Sequence, residues 1–151
     1  MTDVVDVAVG VTADSAVAVL RRQRPDFVRY TQGSHDVLMA PMDPGGVSLV
    51  ERAAVALHVA SIERDASLVA HYQARLEELG GERPVRLEAI LEHVTLVARS
   101  PGSATPAGLE RLAGIGLSPQ DIVVVTQIVA FVSYQARVVA GLRALGAEMG
   151  R

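Results

Sequence analysis

Residues 51–72, Glu-Arg-Ala-Ala-Val-Ala-Leu-His-Val-Ala-Ser-Ile-Glu-Arg-Asp-Ala-Ser-Leu-Val-Ala-His-Tyr, decide the fold of this chain. Ser48 lies just before the stretch and Glu51 follows it by three residues, which is the Ser-x-x-Glu pattern of a capping box at a helix N-terminus. Apolar residues then continue at helical spacing as far as Gly80-Gly81. The pattern predicts one long helix over about thirty residues, with a kink near Arg64 left open.

On the N-terminal side, the run Pro41-Met42-Asp43-Pro44-Gly45-Gly46 interrupts any regular structure. It separates an N-terminal helical arm, residues 1–41, from a helical core, residues 47–146. Within the arm, residues 3–11 fit a short helix or a strand. No internal repeat or second linker is visible, so the sequence predicts a single domain over residues 1–151.

On the C-terminal side, apolar residues at helical spacing predict helices over 84–98, 107–113 and 118–146. The last begins with Ser118 as N-cap and Pro119 at the first helical position. The valines that follow would favour a strand in isolation, but the cap and the sustained helical spacing decide for a helix. The fold class predicted is all-α, a bundle of about six helices.

Composition excludes several functions. The 151 residues include no cysteine, and the 14 basic residues are all arginine, which excludes thiol chemistry, disulfides and lysine-based Schiff bases. A net charge of −3 argues against binding of nucleic acid. The acidic N-terminus and the absence of 18 uninterrupted apolar residues predict a cytoplasmic protein with no membrane span.

The core predicted from this composition is aliphatic. Hydrophobic residues make up 50% of the chain and aromatic residues only 3%. Small side chains allow close packing of helices but provide few large anchors for a core. Together with a mean hydropathy of +0.30, this predicts a homo-oligomer.

The stretch 51–72 resembles the signature helix of the carboxymuconolactone decarboxylase / alkylhydroperoxidase-D superfamily. In the peroxidase branch that helix carries a glutamate, a Cys-x-x-Cys pair and then a histidine. On the same register this chain has Ala53 for the glutamate, Asp65 and Leu68 for the cysteines, and Tyr72 for the histidine, with His71 next to it. The resemblance implies the alkylhydroperoxidase-D-like helical bundle without Cys-dependent peroxidase activity.

The resemblance extends beyond that helix. Residues 35–41 and 45–52 resemble the lead-in of this superfamily, and residues 117–122 with 127–137 resemble a later helix of its CMD domain subgroup. The superfamily implies a pocket between the signature helix and the later helices, frequently at a subunit interface. A cysteine-containing relative is a candidate partner of this chain.

Four residues of the predicted long helix, Glu51, His58, Asp65 and Tyr72, recur every seven residues. Seven residues leave successive members only about 20° apart around a helix, so all four would share one stripe. Such a stripe is a proton relay or polar pocket, or else the solvated face of the helix. His58 lies within the apolar run 53–60 and is the candidate general base, although a buried histidine is often only a satisfied core residue.

Further candidates lie on the last helix. Gln127, Tyr134 and Arg137 are expected to face the Glu51 stripe or to form hydrogen bonds at an oligomer interface. His71 is expected on an exposed, charged face. The four histidines have no metal-ligand spacing, so neither a metal nor a cofactor is expected.

These residues support two hypotheses. The first is an accessory or small-molecule-binding subunit without peroxidase residues, linked through the resemblance to antioxidant defence. The alternative is a cofactor-free acid/base enzyme on a small organic acid, as in the decarboxylase branch. In that case His58 would be the base, and Arg52 or Arg137 would hold the carboxylate.

Overall fold

The structure is a computed structural model that describes residues 3–150, and this part of the chain contains eight α-helices and no β-strand. One turn of 3₁₀-helix, Pro101–Ser103, precedes the seventh α-helix. The α-helices are α1 (Val4–Val9), α2 (Ala16–Arg22), α3 (Pro25–Met39), α4 (Leu49–Glu63), α5 (Ala66–Leu79), α6 (Leu87–Arg99), α7 (Pro106–Gly114) and α8 (Pro119–Met149). The all-α prediction is confirmed.

The helix predicted from residue 48 to residue 79 is not continuous: it is interrupted at Arg64, where a kink had been left open, because the chain turns sharply after Glu63. Arg64 has a left-handed backbone, with φ 59°, which ends α4. Asp65 then begins α5 by accepting a hydrogen bond from the backbone N–H of Leu68. The break lets α5 fold back and pack against α4. It also adds one helix to the predicted number, so it accounts for part of the difference between about six predicted and eight observed α-helices.

The predicted caps are present at both long helices of the core. Ser48 and Glu51 form a complete capping box at α4, and Ser118 and Asp121 form another at α8. The segment 3–11, where a strand was the alternative, contains α1, with Asp3 as its cap. Residues 84–86 form a turn, so α6 begins three residues later than predicted.

At the centre of the bundle, α4 packs against α5, α6 and α8. The core is mainly aliphatic, as its composition predicted, and includes the fully buried Val55, Val59, Leu68, Ile90, Ile128 and Val132. By length and composition alone α8 could cross a membrane, with a mean hydropathy of 1.7 in its most apolar window, 39% of which is buried. Core helices of soluble proteins meet the same criterion, so this is weak evidence.

The loop between the arm and the core is fastened by buried side chains. Arg52 donates to three backbone carbonyls, those of Leu38, Pro44 and Val47, at 2.8–2.9 Å. Gly46 donates its N–H to Asp121, and a side chain at position 46 would collide with that carboxylate. The helices of the arm also contact α8, so the boundary at residue 41 stays a prediction.

Candidate functional site

The four residues predicted to share a stripe lie in separate environments. Glu51 and His58 lie on α4, whereas Asp65 caps α5 and Tyr72 lies within it. Because the chain reverses at Arg64, the sevenfold spacing does not extend along one helix axis. Each of the four side chains instead contacts a different partner from elsewhere in the chain. The predicted common stripe was therefore wrong.

Glu51 is fully buried, and its hydrogen bonds join the start of α4 to the turn before α6. Its carboxylate accepts hydrogen bonds from the N–H and hydroxyl of Ser48, and Arg86 approaches both its oxygens at 2.7 and 3.0 Å. Burial alone would raise the pKa of Glu51, but the hydrogen bonds from Arg86 and Ser48 outweigh it and hold the pKa below its ordinary value. A carboxylate held charged in this way does not supply a proton near neutral pH.

Asp65 lies at the register position of the first motif cysteine and is buried at the start of α5. Besides capping the helix, it pairs with Arg143 of α8 at 2.6 Å. The same guanidinium donates to the hydroxyl of Ser67 and to the carbonyl of Ala8, each at 2.7 Å. Asp65 thus joins α5 to α8 and α1.

Tyr72 and Gln135 form a polar pair inside the core. The phenol donates to the side-chain oxygen of Gln135, and both residues are 0% exposed. Burial raises the pKa of Tyr72, although the hydrogen bond partly offsets this effect. The phenol therefore remains protonated at physiological pH and acts as a hydrogen-bond donor.

Aromatic rings surround the Tyr72 side of this pair. His71 lies edge-on to Tyr72 with ring centroids 4.9 Å apart, and His35 lies 5.6 Å from His71. The expectation that His71 is on an exposed face was wrong, because His71 is half-buried against α3. Burial and the neighbouring His35 lower the pKa of His71. Two buried nitrogens, Nε2 of His35 and Nε2 of Gln135, have no hydrogen-bond partner among the described residues.

His58 is the candidate base, and its protonation follows from its neighbours. Its Nε2 lies 2.7 Å from the hydroxyl oxygen of Thr95, which in turn donates to the carbonyl of Leu91 at 2.9 Å. A hydroxyl has only one hydrogen, so Nε2 of His58 must donate and Nδ1 carries the lone pair. Burial and, to a lesser extent, the charge of Arg99 lower the pKa of His58, which favours the neutral ring.

His58 lines an open cleft of 470 Å³ between α4, α6 and the segment before α6. Arg83 and Glu92 line the same cleft. The cleft therefore combines a neutral imidazole with the guanidinium of Arg83 and the carboxylates of Glu88 and Glu92.

Neither arginine that the sequence assigned to hold a carboxylate lies in this cleft. All three donor groups of Arg52 are used by backbone carbonyls. Arg137 is exposed, where it donates to the carbonyl of Ser133 and pairs with Glu63 at 3.2 Å. The arginine that lines this cleft is Arg83.

Gln127 and Tyr134 lie in a different place again. They line an open, largely apolar groove of 870 Å³ between α3 and α8, together with Tyr30 and Val37. The phenol of Tyr134 lies 3.2 Å from the hydroxyl of Thr31 on α3. The last-helix candidates therefore do not face Glu51, and their alternative role at an oligomer interface stays a prediction.

No group of three or more His, Asp or Glu side chains within residues 3–150 is arranged to hold a metal ion. The expectation of no metal remains a prediction.

Sequence reasoning missed most partners of the site residues. The set comprises Arg83, Arg86, Thr95, Gln135 and Arg143. One signal was available: Gln135 follows the buried Ile128 by seven residues and therefore points toward the core. The arginines gave no such signal, because their partners lie 35 and 78 residues away.

Comparison with known proteins gives matches at the level of structure. No protein-family model matches this chain, and no curated protein matches its sequence. One similar structure is an uncharacterized peroxidase-related protein from Silicibacter sp. TM1040, with 18% identity and a TM-score of 0.69. Another is an alkylhydroperoxidase AhpD core structure, an uncharacterized peroxidase-related protein from Ralstonia eutropha JMP134, with 21% identity and a TM-score of 0.60.

The alignments cover 76% and 77% of this chain, and they span 66% and 68% of the two solved chains. At such low identity the similarity concerns the fold. It confirms the helical bundle that the resemblance of residues 51–72 implied, while the chain has no cysteine at all. This protein therefore has the AhpD-like fold and lacks the Cys pair.

Proposed function

We propose that this protein is an accessory subunit with the AhpD-like fold, linked to antioxidant defence, that acts by assembly rather than by peroxide chemistry. The supporting observation is the structural role of the side chains at the register positions of the motif. Asp65 caps α5 and pairs with Arg143, Leu68 is fully buried, and Tyr72 binds Gln135. Each of these side chains holds helices together, and none provides a thiolate.

The surface between α3 and α8 is the proposed site of assembly. Tyr30 is 66% exposed and Val37 is 69% exposed, and both lie beside the apolar groove. Contiguous exposed apolar surface of this kind favours burial against another protein. A second copy of the chain, or a cysteine-containing relative with the same fold, would cover it. The groove is also large enough for a small apolar molecule, so the accessory subunit could bind a ligand there instead of another protein.

Measurement of the mass in solution tests the assembly. The wild type should be a homo-oligomer, and Val37→Glu should shift it toward the monomer because a charge would be buried in the interface. Val85→Glu is the matched control, since Val85 is 99% exposed in the loop before α6. A monomeric wild type would exclude self-assembly through this surface, and dissociation by Val85→Glu rather than Val37→Glu would place the self-assembly interface elsewhere.

The acid/base enzyme is the second candidate, and the lone pair on Nδ1 of His58 favours it. A neutral imidazole in a cleft with Arg83 could remove a proton from a small organic acid whose carboxylate Arg83 holds. Turnover of a panel of small carboxylic acids tests this. His58→Ala should abolish kcat, Arg83→Gln should mainly raise KM, and Arg137→Gln should change neither. Absence of turnover across the panel would leave the accessory role.

A further inference from the structure

A second pocket lies on the neighbouring face of α6, away from both His58 and the α3–α8 groove. It has a volume of 510 Å³ and is enclosed by α6, α7 and the 3₁₀ turn between them. His93 and Leu96 of α6 line one side, and Arg111 and Leu112 of α7 line the other. This volume falls within the range of small-molecule sites in proteins.

Most polar side chains of this pocket have no hydrogen-bond partner among the described residues. Within residues 3–150, the side chains of His93 and Arg111 make no hydrogen bond or ion pair, and Glu92 on the same wall makes none either. Thr105 accepts a hydrogen bond from the N–H of Gly108 at 3.2 Å, which leaves its own hydroxyl hydrogen free to donate. The pocket therefore offers donors on Arg111 and Thr105 and acceptors on Glu92.

Two of these donors converge on the first turn of α7. A methyl group built at Gly108 would lie 3.6 Å from the hydroxyl oxygen of Thr105 and 3.8 Å from Nη2 of Arg111. The guanidinium thus lies over the N-terminal turn, where the helix dipole also favours an anion. Arg111 is close enough to His93 that its charge, added to the larger effect of burial, lowers the pKa of that histidine. The imidazole is therefore a neutral hydrogen-bonding group beside a fixed cation.

We propose that this pocket binds a small organic monocarboxylate with an apolar body. Arg111 and Thr105 would hold the carboxylate, because a guanidinium matches its two oxygens and the hydroxyl adds a further donor. Leu96, Leu112 and Ile115 would contact the apolar body. The carboxylate of Glu92 in the same wall repels any anion, but it repels a doubly charged ligand such as phosphate more strongly than a monocarboxylate. This binding needs neither the assembly surface nor the His58 cleft.

Titration of ¹⁵N-labelled protein with benzoate, followed by amide chemical shifts, tests the proposal. Benzoate up to about 10 mM should move resonances of α6 and α7, since a fragment of this size binds at about millimolar Kd. Benzamide, its uncharged counterpart, and inorganic phosphate should move them much less. Arg111→Gln should weaken benzoate binding by about tenfold or more, since a charge-assisted hydrogen bond is lost. Arg75→Gln, which removes the same charge from α5, should not.

Three results would overturn the proposal. One is the absence of benzoate shifts in α6 and α7. Another is equal binding of benzoate and benzamide, which would mean that no cation recognises the head group. The third is equal weakening by Arg111→Gln and Arg75→Gln, which would reveal only a general effect of charge. Arg111 is exposed and has no hydrogen-bond or ion-pair partner within residues 3–150, so its variant should fold, and the spectrum itself reports whether it has.

Discussion

Tyr72 donates its phenolic hydrogen to the side-chain oxygen of Gln135, and this bond joins α5 to α8 where both residues are fully buried. Tyr72 occupies the register position at which the resemblance implies a histidine in the peroxidase branch. In this chain the residue at that position joins two helices instead. Asp65, at the register position of the first motif cysteine, likewise joins two helices, because it pairs with Arg143 of α8.

Tyr72→Phe should therefore destabilise the protein. The substitution leaves the buried amide of Gln135 without a partner on either atom, because its Nε2 already has none among the described residues. The expected loss is about 1–3 kcal/mol in the free energy of unfolding, measured by urea denaturation. The double variant Tyr72→Phe/Gln135→Leu should recover most of that loss, since it removes both polar groups. A double variant less stable than Tyr72→Phe would contradict the importance of the pair.

Asp65 should stabilise the folded protein in two ways, as the N-cap of α5 and as the ion-pair partner of Arg143. Asp65→Ala removes the acceptor for the N–H of Leu68 and the partner of Arg143, and we expect it to cost about 1–2 kcal/mol in the free energy of unfolding. Asp65→Asn keeps a good N-cap and should cost less than about 1 kcal/mol. Urea denaturation of the two variants separates the contributions. Equal losses in both would mean that the ion pair, not the cap, dominates.

Glu51 should make stability dependent on pH on the acid side. Its pKa is lower in the folded protein than its ordinary value of 4.5, so its contribution is present above that pH and is lost as pH falls through the folded pKa. Glu51→Gln should therefore flatten the acid side of the stability curve, and Arg86→Gln should do the same by removing the donor. Hydrogen bonds from Ser118 lower the pKa of Asp121 too, so part of the slope should remain. An unchanged slope in Glu51→Gln would contradict this assignment.

His58 and His93 should titrate below the ordinary value of 6.5, each mainly because of burial and partly because of one arginine. Arg99→Gln should raise the pKa of His58 and leave that of His93 unchanged, while Arg111→Gln should do the reverse. NMR titration of the histidine rings measures both and also reports the tautomer. His58 should carry its hydrogen on Nε2 in the neutral form. A neutral form protonated on Nδ1 would exclude it as the base described above.

Local signals predicted the helices well wherever a side chain satisfies its own backbone. Ser48 with Glu51 and Ser118 with Asp121 are three residues apart, so each capping box is readable from the sequence and is present in the structure. At Arg64 the sequence left a kink open, but it did not predict two separate helices. Arg64 has a positive φ although it is not a glycine, and such a residue is not recognisable from its type. The helical spacing of apolar residues also continues from one side of Arg64 to the other.

The arrangement of the candidate site depended on contacts that local patterns do not contain. His58 was identified as buried enough to need a partner, but that partner, Thr95, lies 37 residues away on α6. Arg52 was an obvious cation, yet its guanidinium is used by loop carbonyls. Only the packing of α4 against α6 and of α3 against α8 decides which polar side chains remain available.

The most direct test of the account is a peroxide-reduction assay with a dithiol reductant. The purified protein alone should give no turnover, because its motif positions hold helices together and the chain contains no cysteine. Mixed with a cysteine-containing relative, it should raise the turnover of that relative. Turnover by the protein alone, lost in His58→Ala, would contradict the central claim. No enhancement in the mixture would contradict the accessory role.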